Sequence, residues 1–142
     1  MGIFNVQCRV ENIAVPDRSG QIELIVDTGS EFTWIPGDIL TAVGVEVRKR
    51  DEKFVMANGE IITRHIGYAI LRVDGFETVD EIVFARNGDL SLLGAHSLEG
   101  FGAVVDTERK RLVAAGPHLA AVVARAGDCA RTQRLWRRHP LP

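Results

Sequence analysis

Cysteine is scarce in this chain of 142 residues: Cys8 and Cys129 lie far apart, and neither stands beside the closely spaced Cys or His partners that a zinc site needs. A disulfide framework is therefore not expected, nor is a metal or any other cofactor. Aromatic residues make up only 6% of the chain, and no run of about 18 apolar residues occurs, so no membrane-spanning helix is expected. Positive charge is not in excess either. The formal net charge is −2, which offers no global attraction for nucleic acid or anionic lipid, and neither is expected as a partner. Met1-Gly2-Ile3-Phe4 has no basic leader or long apolar core, and Val6 stands where a myristoylation signal wants Ser or Thr. The expectation is a soluble, cytoplasmic protein. There are no internal repeats.

What remains is an ordinary globular composition, 46% apolar and 25% charged, at a length that suits one domain. From Phe4 to Val10 the residues Phe4, Val6, Cys8 and Val10 alternate with polar ones, and Ile22, Leu24 and Val26 do so again after the turn formers Pro16 to Gly20. A period of two puts one face of each run on a core, so this reads as a hairpin whose second strand runs into Asp27. Asp38 to Val43 predicts one helical turn capped by Asp38, and Val45 and Val47 a brief strand. Phe54-Val55-Met56 and Ile61-Ile62-Thr63 flank Ala57-Asn58-Gly59-Glu60, a hairpin in which Asn-Gly takes the positive φ angles of a tight turn.

Two further strands, Ile66 to Val73 and Thr78 to Phe84, are divided by Asp74-Gly75, and Arg86 to Asp89 closes the second. Ala95 to Gly100 fits a short helix after Leu93-Gly94, and Ala103 to Val105 and Arg111 to Ala114 pair across a turn. Short, frequent strands with so little helix predict an all-β closed barrel or sandwich over residues 1–116. Residues 117–142 form a C-terminal extension, in which the Ala-rich stretch His118 to Ala126 suits a helix and the basic remainder suits partial disorder.

The chemistry concentrates in Asp27-Thr28-Gly29-Ser30. Four letters alone are a weak signal, but here a carboxylate sits where an apolar strand leaves the core and turns sharply. On Ile25-Val26-Asp27-Thr28-Gly29-Ser30, Ala57-Asn58-Gly59 and Leu92-Leu93-Gly94, in that order, the chain resembles the single-domain, retropepsin-like branch of the aspartic peptidases over about Phe4 to Val113, while Thr33-Trp34-Ile35-Pro36 is similar to the pepsin side of the same superfamily. The resemblance implies a homodimer that hydrolyses polypeptide, with Asp27 of each copy sharing one water. Two carboxylates within hydrogen-bond reach hold one proton between them, so one serves as base and the other as acid.

By the same resemblance Thr28 bonds across the two-fold axis, Gly29 lets backbone approach the substrate, and Ser30 donates to Asp27. Met56, Ala57, Asn58 and Gly59 form the tip of a flap, Leu92 lines a substrate pocket, and Leu93 and Gly94 are structural. Where many cellular relatives carry an acidic residue after the second Gly, and viral ones an Arg-Asn pair, this chain has Ala95-His96. A different class also fits the residues, a catalytically silent peptide-binding or dimerisation module that keeps the fold and Asp27, since fold does not settle function. Trp34 reads as core. His65, His96, His118 and His139 have no Ser or Cys nucleophile arranged with them in sequence and read as structural or surface residues. The basic end, Arg125 to His139, reads as a solvated tail, with recruitment of a nucleic-acid or acidic partner by the residues beyond Gly127 as its functional alternative.

Overall fold

The computed structural model of the chain describes residues 3–120. Nine strands and two short helices follow one another as β1 (Asn5–Glu11), β2 (Ser19–Val26), β3 (Thr33–Pro36), α1 (Gly37–Val43), β4 (Lys49–Val55), β5 (Ile61–Val73), β6 (Phe76–Ala85), β7 (Leu92–Leu93), α2 (Ala95–Phe101), β8 (Ala103–Asp106) and β9 (Arg111–Ala114). The fold is thus mostly β. No helix among the described residues is long and apolar enough to cross a membrane.

Seven strands form one sheet in the order β1-β2-β7-β3-β6-β5-β4, and β1 also pairs with β5, so six of them close into a ring with β4 outside it. The closing ladder sets Arg9 opposite Arg72 and Glu11 opposite Ile70. Two like charges face each other there, and the buried Glu11 carboxylate offsets them by accepting from Arg9 Nε at 2.7 Å and Arg72 Nε at 3.0 Å. Burial alone would push the Glu11 carboxyl up, and the two guanidiniums together outweigh it and hold the group below its ordinary value.

Alternation works as the sequence predicts in β1, where Val6, Cys8 and Val10 are buried and Asn5 and Gln7 are exposed. The principal core gathers Leu24, Ile35, Leu40, Leu71, Ile82 and Leu93, all fully buried, from β2, β3, α1, β5, β6 and β7. Burial also pushes the Cys8 thiol up to about 12, so it behaves as a small apolar side chain.

Four expectations need correcting. The helix at Asp38 runs over Gly37–Val43 with Pro36 at its N-cap and no side-chain cap; Asp38 lies within the first turn. Its other end is the better satisfied, with Gly44 left-handed and Asn12 Nδ2 donating to the Val43 and Gly44 carbonyls at 3.2 and 2.9 Å. No strand forms at Val45 and Val47, because Val45 N–H turns back to Leu40 O and the sheet resumes only at Lys49. The runs Ile61 to Thr63 and Ile66 to Val73 are one strand of 13 residues. Helix α2 passes through Gly100 and ends at the left-handed Gly102. The predicted helix over His118 to Ala126 has no helical residue at 118–120 and otherwise lies outside the described residues.

Candidate active site

Asp27 leaves the end of β2, and the chain returns beside it through β7. Strands β2 and β7 run parallel, with Ile25 opposite Leu92 and Val26 opposite Leu93, while β3 lies antiparallel to β7 through Trp34 and Leu92. The segment Asp27 to Phe32 therefore loops out of the sheet and is tied to the end of β7 and the start of α2. Asp27 N–H donates to Leu93 O at 3.0 Å, Ala95 N–H to Ser30 O at 2.7 Å, and His96 N–H to Glu31 O at 3.0 Å. Gly94 sits inside this seam, and a Cβ there would collide with the Phe32 carbonyl and stand 2.9 Å from Ser30 O. Only glycine lets the two segments lie this close.

Within the loop, Gly29 N–H donates to Asp27 Oδ1 at 2.9 Å, which fixes the carboxylate and leaves its other oxygen without a protein donor among the described residues. The Ser30 hydroxyl does not reach Asp27 and instead donates to Phe32 O at 2.8 Å, a local side-chain to backbone bond. The expected bond from Ser30 to Asp27 is therefore replaced by one within the loop. Thr28 is exposed.

Opposite the loop stands the β4–β5 hairpin. Gly59 N–H donates to Met56 O and Met56 N–H to Glu60 O, both at 2.8 Å, and Asn58 Oδ1 accepts Glu60 N–H at 2.9 Å. Gly59 alone takes a positive φ, 85°, and Asn58 does not. The turn is therefore a type I turn closed by a left-handed glycine rather than one with two positive φ angles.

Between hairpin and loop lies a cleft of about 680 Å³. Asp27, Gly29 and Ser30 line it from the loop, Met56 and Ala57 from the hairpin, and Leu92 from β7. Thr28, Asn58, Gly59, Leu93 and Gly94 do not line it. The walls include residues that the sequence did not assign to a site: Phe32, Trp34, Phe54 and Val55 supply apolar surface, and Glu31, Lys53 and Asp89 supply charge. Phe54 stands edge-on to Phe32 at 5.6 Å and to Trp34 at 5.2 Å, so one aromatic cluster joins the base of the hairpin to the floor. Trp34 is both core and cleft wall. Alternation backwards from Met56 could have found Phe54; no sequence signal marks Asp89.

Asp89 is held by a two-pronged pair, Arg64 Nε to Oδ2 at 2.7 Å and Nη2 to Oδ1 at 2.8 Å, with Arg86 N–H adding a bond at 2.8 Å. The Arg64 guanidinium beside it holds the Asp89 carboxyl below its ordinary value. Its charge is spoken for, whereas Glu31 and Lys53 make no ion pair among the described residues. Where relatives of the resembled family carry acidic or Arg-Asn residues, Ala95 and His96 donate their amides to the loop, and the His96 ring stands edge-on to Phe32 at 5.3 Å. No group of three or more His, Cys, Asp or Glu among the described residues is placed to hold a metal.

The sequence matches no family model, and it matches no curated protein.

Proposed function

We propose that the chain is one half of an aspartic endopeptidase of retropepsin-like fold, active as a homodimer in which each copy contributes Asp27. The observation that carries this reading is the placing of Asp27 in a mostly apolar cleft under a β-hairpin, on a loop locked to Leu93, Ala95 and His96. A single carboxylate cannot act as base and acid at once, so the reading requires a second copy to bring another Asp27 alongside.

An extended peptide lies between hairpin and floor, its side chains alternately entering the apolar walls. The ionised Asp27 takes a proton from the shared water, whose oxygen attacks the peptide carbonyl carbon. The protonated Asp27 gives its proton to the carbonyl oxygen. Proton transfer to the amide nitrogen then breaks the carbon–nitrogen bond, with no covalent enzyme intermediate. Hydrogen bonding of Gly29 N–H to Asp27 Oδ1 supports this use of the carboxylate, because it holds one oxygen still and leaves the other for water.

Mass-spectrometric cleavage of a diverse peptide mixture from about pH 3.5 to 7.5 tests the reading when the protein is compared with Asp27→Asn. Cuts made by the wild type and lost in a folded, dimeric variant are the expected result. A folded dimer that cuts nothing in either form would instead favour a silent peptide-binding module, and a protein that stays monomeric at micromolar concentration with a peptide inhibitor present would sink the homodimer.

A further inference from the structure

Behind the cleft floor runs a chain of polar groups, two of them buried and the third half-buried, that the reaction above does not use. Thr33 on β3 and Ser97 on α2 are both fully buried. Ser97 Oγ donates to Asp80 Oδ2 at 2.7 Å, Thr33 Oγ1 and Ser97 Oγ are 2.5 Å apart, and Gly94 N–H donates to Thr33 Oγ1 at 3.0 Å. Asp80, on β6, also accepts Glu81 N–H on Oδ1 at 2.7 Å.

The direction of this chain is set by proton counting. An ionised carboxylate can only accept, so Ser97 spends its one proton on Asp80. Its oxygen must then accept from Thr33, which spends its own proton there and accepts from Gly94. Every donor and acceptor is used once, from the Gly94 amide to the Asp80 carboxylate, and no member can turn around without leaving a buried proton unpaired.

The end that matters is Gly94. It is the residue pressed against the Phe32 backbone, flanked by Leu93, which accepts from Asp27 N–H, and by Ala95, which donates to Ser30 O. We infer that Asp80, acting through Ser97 and Thr33, is a positioning residue for the Asp27 loop: it does not line the cleft, yet its Oδ2, steadied by the Glu81 N–H on Oδ1, ends the chain that fixes the seam on which the Asp27 carboxylate is mounted. The kinetic part of this inference rests on the peptidase reading; the structural part does not.

Asp80→Asn separates positioning from mere support, because it keeps shape while replacing one acceptor by a donor. Facing both the Glu81 amide and Ser97, the carboxamide can accept from only one of them. If it donates to Ser97 instead, the chain reverses and the Thr33 proton loses its acceptor. In the full chain, kcat is expected to fall about tenfold or more with KM within about twofold, as loss of alignment rather than of binding requires. Amide hydrogen exchange at Gly94 and Asp27 should rise by a similar factor while amides in β1 keep their wild-type rates. Exchange that stays at the wild-type rate at Gly94 and Asp27, or rises uniformly along the chain, would overturn the inference, as would an unchanged kcat. Should Asp80→Asn fail to fold, Ser97→Ala is read by the same two measurements. If the wild type cleaves nothing, the peptidase reading falls, and exchange at the two amides still decides whether Asp80 holds the seam.

Discussion

Two apolar clusters lie on opposite faces of the same strands, since Trp34, Val83 and Leu92 alternate with Ile35, Ile82 and Leu93, and they are made of different material. The larger is mostly aliphatic, and its centre is sealed: Leu24, Ile35, Leu40, Leu71, Ile82 and Leu93 have no exposure at all. The smaller centres on Trp34, Ile66, Val83 and Ala85, and its outer members Phe32, Phe54, Ile62 and Leu92 are only partly covered. Sealing is what holds a chain folded, since each apolar surface removed from water contributes stability. The second cluster forgoes part of that contribution and keeps aromatic faces turned to the cleft, where they are available to an incoming apolar side chain. One cluster maintains the ring, and the other sets the hairpin above its floor.

Truncating a residue of each separates these roles. Leu71→Ala in the sealed cluster should cost about 2 to 5 kcal/mol of global stability by urea unfolding. Phe54→Ala should cost only about 1 kcal/mol, because its ring is half exposed. Its larger effect should be on hydrogen exchange at Met56 and Gly59, which rises ahead of the rest. Equal losses of global stability in both variants would erase the distinction.

The Arg64–Asp89 pair joins the hairpin strand β5 to the far wall of the cleft, and it gives the comparison a pH axis. The folded-state value of Asp89 lies below its ordinary 3.8, so the pair's contribution is fully present above that value. It is lost as pH falls through the lower, folded one. Asp89→Asn should therefore cost about 2 kcal/mol near neutrality and flatten the decline of stability below about pH 4, measured by thermal unfolding across the acid range. An acid limb identical to the wild type would mean that other carboxylates control it.

The smallest effect belongs to the hairpin tip. A Cβ at Gly59 meets nothing within 4 Å, but the φ of 85° disfavours any side chain. Gly59→Ala should cost about 1 kcal/mol, read as faster exchange confined to the hairpin.

The same division explains what could be read from the residues. The hairpin β1–β2, the turn at Asp74-Gly75 and the flap turn come from strict alternation and from turn formers, which are local signals. The unity of β5 does not, because Arg64 and His65 interrupt its apolar pattern. Their partners, the Asp89 carboxylate and the Asp51 amide, come from distant sequence. Val45 and Val47 look like strand because they are β-branched, yet the left-handed Gly44 turns the chain first. In the site, Asp27, Met56, Ala57 and Leu92 were legible through motif and resemblance. The aromatic wall and the Thr33–Ser97–Asp80 chain were not, since they depend on which strands become neighbours.

Strand β5 carries a consequence of its own. One continuous run of 13 residues leaves the hairpin tip at Ile61, crosses the aromatic cluster at Ile66, and ends in the sealed core at Leu71 and Val73. Its N-terminal part pairs with β4, its later part with β6, and its last residues with β1 as well. Hairpin tip and core are thus two ends of a single beam, which pairs with one strand near Ile61 and with two at Ile70 to Arg72. Opening free energy should climb along it in steps, so that the hairpin beside the cleft loosens as the free end of a cantilever bends, without a hinge and without disturbing its anchorage.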